Sequence, residues 1–126
     1  MIPSKKIIPL LRKILKGDQG IKAIYITDES GEIIANTINE SFQLNDIEFF
    51  AKKSVIIYKG LKKIENSQII GDFNYLTAEF YENGRITYIS LKNHVVVIIG
   101  EYCPNVGMIR VIIRSVREEL TKILYG

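Results

Sequence analysis

A chain of 126 residues, 47% hydrophobic and 25% charged, has the length of one globular domain and can bury about two-thirds of the surface its unfolded form exposes. Its formal net charge of +3 is too small to argue for nucleic acid, and no apolar run approaches the roughly 20 residues of a membrane span. The single cysteine, Cys103, excludes an internal disulfide, and Met1 to Lys6 lacks the apolar stretch of a secretory signal, so a reducing, cytoplasmic setting is expected.

The first element reads as a helix, because Ile7, Leu10, Leu11, Ile14 and Leu15 recur at helical spacing and Gly17 and Gly20 stop the run. Pro9 has no N–H to donate and suits a first turn. The regular part is therefore expected from about Ile8, or else a longer helix from Ser4 is kinked there. Ile21 to Thr27 is an apolar strand, Asp28-Glu29-Ser30-Gly31 a turn, and Glu32 to Ile38 the hairpin partner. After a polar loop from Asn39 to Leu44, Asn45 or Asp46 can cap the next helix by accepting from its unpaired N–H groups.

That second helix, Asp46 to about Glu65, carries more apolar surface than one sheet contact requires. Ile47, Phe50, Ala51, Ser54, Ile57, Tyr58, Leu61 and Ile64 form a broad stripe, the expected core face. Phe49 and Ile56 fall nearly opposite it, with Lys53, Gly60 and Lys63 along the same line. Scattered surface apolar residues are ordinary. A glycine inside a helix costs about 1 kcal/mol relative to alanine, however, and its place beside an aromatic and an isoleucine in register points to close approach by another backbone. The helix is expected to carry a second, narrower face for self-association.

The rest of the chain is a meander ending in a helix. Leu76 to Tyr81 and Ile86 to Leu91 alternate, and Asn83-Gly84 between them is the strongest short signal for a type I′ hairpin. Val95 to Ile99 is apolar on both faces and belongs in mid-sheet. With that strand central, the hairpin on one side and the meander on the other, the fold is an α/β three-layer sandwich. Its topology is α-β-β-α-β-β-β-α, around a five-stranded antiparallel sheet of order 2-1-5-4-3. The third strand, from about Tyr75 to Glu82, is then a free edge with Glu79 and Glu82 its only charges, a hazard unless covered or paired. The last helix sets Ile109, Ile112, Ile113, Val116, Leu120, Ile123 and Leu124 on one side and Arg110, Arg114, Arg117, Glu118 and Lys122 on the other, with Asn105 as cap.

Charge is blocky: basic up to Lys22, acidic from Asp28 to Glu48, then basic again through Lys52, Lys53, Lys59, Lys62 and Lys63. Such alternation is the ordinary pattern of solvated faces, and the sharper reading is a basic helix that meets an acidic partner. No catalytic cluster accompanies it. Gly71-Asp72 and Gly60-Leu61-Lys62-Lys63 lack phosphate-loop spacing, and one histidine, His94, with one cysteine is too few for a zinc site or a nucleophile pair. His94 reads as a surface residue at a strand start and Cys103 as a small buried group. The tyrosines, spread over many elements, read as core and interface aromatics rather than a base-stacking platform. No catalytic, cofactor or metal residue is therefore assigned.

The order of elements, with Gly20-Ile21 before an apolar strand, Asp28-Glu29-Ser30-Gly31-Glu32-Ile33-Ile34-Ala35, Asn83-Gly84-Arg85, and Pro104-Asn105-Val106-Gly107 before the last helix, resembles the Roadblock family of dynein light chain roadblock-type domains. The resemblance covers nearly the whole chain. It departs at Val106, where leucine is usual, and at Lys22 or Ala23, where a glycine is common in the first strand. It implies a non-enzymatic, cofactor-free dimer joined through the second helix and the third strand. In this chain those residues are Phe49, Lys53, Ile56, Gly60, Lys63, Tyr75, Thr77, Glu79 and Tyr81. It also implies action as a scaffold or regulator of a Ras-like small GTPase, with Lys52 and Lys59 as partner-facing residues, or as a motor and cargo adaptor. A ligand-sensing domain of profilin, PAS or longin type shares the layered plan. A pocket between the sheet and a helix would favour that reading.

Overall fold

The structure is a computed structural model that describes residues 4–17, 20–39, 44–67, 69, 71, 73–80, 84–101 and 106–126. Helix α1 (Ser4–Gly17) leads into strands β1 (Ile21–Asp28) and β2 (Ile33–Ile38), then helix α2 (Leu44–Asn66). Strands β3 (Tyr75–Phe80), β4 (Gly84–Ser90) and β5 (His94–Glu101) precede helix α3 (Val106–Tyr125). The strands form one antiparallel sheet in the order β2-β1-β5-β4-β3.

The twice-apolar strand is central because both of its faces have a core to enter. Val96 and Ile98 pack with Ile7 and Leu11 of α1 and Ile113, Val116 and Leu120 of α3. Val95, Val97 and Ile99 point the other way, into a core with Ile47, Ala51 and Tyr58 of α2. Helices α1 and α3 thus cover one face and α2 the other, the three-layer sandwich the sequence predicts. A register shift between Ile21 and Ala23 lets Ile21 join the α1/α3 core while Ala23 and Tyr25 face α2.

Helix α1 follows the longer of the two expected readings, running from Ser4 with Pro9 inside it. Pro9 and Lys5 are both exposed, so the hydrogen bond forfeited at the Lys5 carbonyl lies where water can replace it. Gly84 pairs with Phe80 and starts β4 without the positive φ that the expected turn requires of it, while Asn83, the other half of that expectation, lies outside the described residues. Helix α2 starts at Leu44, so Asn45 and Asp46 lie within its first turn instead of capping it.

Candidate interaction surface

Helix α2 buries a narrow strip. Ile47, Ala51, Ser54 and Tyr58 are buried, spaced four, three and four apart as one side of a helix requires. The polar member is satisfied locally, Ser54 donating to the Phe50 carbonyl at 2.6 Å with the Tyr25 hydroxyl 3.4 Å away. Burial in this apolar layer pushes the Tyr25 phenol well above its ordinary pKa.

The broad core stripe expected from the sequence is therefore too broad. Ile57 is 38% exposed and Ile64 50% exposed. They join Phe49 and Ile56, 58% and 71% exposed, in one outward band. At 3.6 residues per turn Gly60 and Lys53 lie within that band. A Cβ at Gly60 would meet nothing, so its bare backbone is open to an incoming surface and not to its own fold. Lys53 lays its ammonium 5.6 Å from the Phe49 ring centre, and Phe50 meets Phe49 edge-on at 5.8 Å.

The contacts of α2 also fix which way the band looks. Gly31, at φ 90° in the β1–β2 turn, lies so close to α2 that a Cβ there would collide with Val55 Cγ2 and crowd the Ala51 carbonyl. The Val55 side of α2 is thereby set toward β2. Ile64 stands about 180° round the helix from Val55, so its flank looks toward the β3 edge.

Among the described residues strand β3 pairs with β4 alone, through Leu76 opposite Tyr88 and Ala78 opposite Ile86. Because Ile86 and Tyr88 point into the α2 layer, Leu76, Ala78 and Phe80 share that face. Leu76 is 36% and Phe80 57% exposed. The intervening Tyr75, Thr77 and Glu79 turn their side chains to the α3 face. Their backbone groups have another role: the Ser90 N–H donates to the Asn74 carbonyl at 3.0 Å, and by antiparallel alternation the N–H and C=O of residues 75, 77 and 79 then point away from β4. Tyr75, Thr77 and Glu79 thus form the hydrogen-bonding rim, and Leu76 and Phe80 the apolar side chains beside it. Tyr81 lies outside the described residues, as do Cys103 and Asn105.

The sequence reading placed Ile57 and Ile64 in the core stripe, noted Phe80 only as an aromatic of the free edge, and gave Leu76 no part in the contact. The signal was present, since a stripe of eight residues on α2 spans more of the helix than one sheet contact covers. The parity of β3 could be set only once the faces of its partner β4 were known.

The fold has known counterparts. No family profile and no curated protein matches the sequence. Solved structures do match the fold. MglB of Myxococcus xanthus superposes with a TM-score of 0.82 at 19% identity, covering 96% of each chain. The gliding protein MglB of Thermus thermophilus gives 0.81 at 11% identity over 97% of this chain and 90% of that one. A Roadblock/LC7 domain of Streptomyces avermitilis gives 0.68 at 10% identity over 89% and 95%. The fold is that of a Roadblock-type domain.

On this Roadblock frame Lys52, Lys59 and Lys63 are all exposed, Lys52 and Lys59 on the part of α2 that borders Ile56 and faces away from β3. Lys62 instead pairs with Glu65 at 3.0 Å. The Glu65 carboxylate also accepts the Phe73 N–H at 2.7 Å, and that bond, with Lys62, holds its pKa below the usual carboxylate range. His94 is half-buried rather than a surface residue. Its Nδ1 lies 2.5 Å from the Tyr125 hydroxyl, which also accepts the Asn93 N–H at 3.0 Å, and burial pushes the imidazole below its ordinary pKa. No group of metal-ligating side chains occurs among the described residues, and none of the described helices is long and apolar enough to cross a membrane.

Proposed function

We propose that this protein is a non-enzymatic scaffold or regulator that dimerises through α2 and β3, acts in the cytoplasm, and presents the dimer to a Ras-like small GTPase. The observation that carries the reading is one surface. Phe49, Ile56, Ile57 and Ile64 on α2 and Leu76 and Phe80 on β3 are exposed apolar side chains that belong to the same side of the sheet, next to an unpaired strand rim. Large apolar surfaces of this kind mark interaction sites, and a specific interface buries about 1,200–2,000 Å² in total. An MglB with a tetrameric arrangement is among the structures of similar fold, at a TM-score of 0.80 and 11% identity, which supports self-assembly as part of the reading. The GTPase partner rests on the Roadblock resemblance.

The sensor alternative is less well supported under the middle of α3, where the space against the sheet is only about 10 Å³, and it would gain support only from ligand binding in the open cavity of about 350 Å³ between α3 and the start of β3. The test is light scattering at micromolar concentration, followed by recovery of a GTPase with the tagged protein from native extract. A dimer that co-purifies with a GTPase is the expected result. A monomer across that range, or nucleotide turnover by the purified protein alone, overturns the proposal.

A further inference from the structure

On the opposite side of the sheet from the apolar band, α3 and the start of β3 frame an open cavity of about 350 Å³. Its lining is Asn74, Tyr75, Arg110, Ile113, Arg114 and Arg117. Three guanidinium side chains thus reach one space from a single flank of α3, at positions spaced four and three apart, and no carboxylate lines it among the described residues. Glu79, which shares the α3 face of β3, stands opposite Arg85 in the strand register, away from this lining.

An arginine row on a helix is usually a solvated face, and Arg117 is what sets this one apart. It is half-buried, its Nη2 donates to the Asn74 carbonyl, and its Nε is buried with no hydrogen-bond partner among the described residues. Taking a cation out of water is unfavourable unless hydrogen bonds or an opposite charge offset it, and burial accordingly lowers the pKa of Arg117. Arg110 is also held in place, its Nε donating to the Tyr75 hydroxyl at 3.3 Å. Two of the three forks are therefore anchored on the wall opposite α3, and Arg114 is exposed beside them. Beyond Arg117 a second cavity of about 380 Å³ adds Lys62 and Lys92, and its one carboxylate, Glu65, is taken up by Lys62 and the Phe73 N–H.

We propose that this cleft is a binding site for a compact phosphate-bearing anion, gripped by Arg110, Arg114 and Arg117 against the Asn74–Tyr75 wall. Planar guanidinium forks match phosphate oxygens bidentately, and such charge-assisted bonds are roughly twice as strong as neutral ones. Phosphate is favoured over carboxylate by charge density. Three cations converging on one small cavity are neutralised by one multiply charged group, where single carboxylates would have to be delivered from several residues. The site lies on the α3 face of the sheet, away from the apolar band, and shares Tyr75 with the proposed dimer, whose rim uses the backbone of that residue while the cleft uses its side chain.

The probe is inorganic pyrophosphate titrated calorimetrically into the full chain, with citrate and a hexaglutamate peptide as competing arms. Saturable one-to-one binding with Kd below about 1 mM is expected. The exposed-site variant Arg114→Gln should weaken it at least tenfold, Arg114→Lys should restore it only in part, and Lys13→Gln on α1 should leave it unchanged. The monomerising variant Ile56→Lys should bind as the wild type does, which separates failure of this site from failure of the dimer. Absence of saturable binding overturns the proposal, as does binding that survives Arg114→Gln in a variant of unchanged circular dichroism. Tighter binding of citrate or hexaglutamate than of pyrophosphate also overturns it, assigning the cleft to a carboxylate partner.

Discussion

Gly31 sits at φ 90° with α2 directly above it, and both facts act against any side chain at that position. An alanine there is strained in backbone and collides with Val55, so Gly31→Ala should cost about 2–4 kcal/mol in chemical denaturation. Combining it with Val55→Ala should remove the collision while the φ strain persists, so the glycine substitution should cost less in that background; an equal cost in both would show that packing against α2 is not the constraint. His94 gives a residue-scale test in pH. Its folded pKa lies below the ordinary 6.5, so the unfolded chain binds its proton first. Stability should therefore fall as pH drops from about 7 through that value, and stop falling on this account once the folded pKa is passed. Asp28 and Glu29 oppose the shift by favouring the charged ring, but burial dominates. Thermal midpoints of His94→Gln that change with pH as the wild type's do would dismiss the effect. Asp28 and Glu65, whose pKa values are lowered mainly by hydrogen bonds from Ser30 and Phe73, act at lower pH, their contribution being lost as pH falls from about 5 through their own ordinary values. At this scale the sequence showed Phe49, Ile56 and Gly60 as outward-facing, because they lie clearly opposite the core stripe. It hid Ile57 and Ile64, because an apolar residue at the border of a stripe has the same periodicity whether the sheet covers it or not.

Elements tell more than single residues about how association would work. The rim of β3 offers the backbone groups of residues 75, 77 and 79, and α2 beside it offers apolar side chains. If both contribute, they can be removed separately. Ile56→Lys places a charge in the apolar band, and Glu79→Pro removes an outward N–H without touching the ladder to β4. Each should weaken dimerisation by at least tenfold, about 1.4 kcal/mol, while the unfolding midpoint of the isolated protomer moves little. Sedimentation that shows Glu79→Pro still fully dimeric would confine the interface to α2. The sequence exposed β3 as an uncovered edge because the doubly apolar Val95 to Ile99 had to be central, leaving the meander's first strand outside. It could not show that the side chains beside that rim are Leu76 and Phe80, since strand parity becomes meaningful only when the covering helix is placed.

At the scale of the whole molecule, sheet order and layering were legible because each strand's apolar pattern admits few positions, and that frame places charge as well as apolar surface. Lys52 and Lys59 border the apolar band on the side away from β3, so a dimer closed through α2 and β3 would leave them in solvent, where they can steer an acidic partner. On the proposed reading, the dimer acts on a GTPase by selecting one conformation of it. That effect is bounded by the difference in affinity for the two conformations, about 1.4 kcal/mol for each tenfold shift. Surface charges are screened beyond about 8 Å at physiological ionic strength, so association with the GTPase recovered from extract should slow as salt rises while dissociation changes little. The double variant Lys52→Glu, Lys59→Glu should remain a dimer, associate more slowly, and lose most of that salt dependence. An unchanged association rate in the double variant would move the partner site off this ridge of α2, and a loss of dimerisation would mean that the two lysines belong to the self-contact instead.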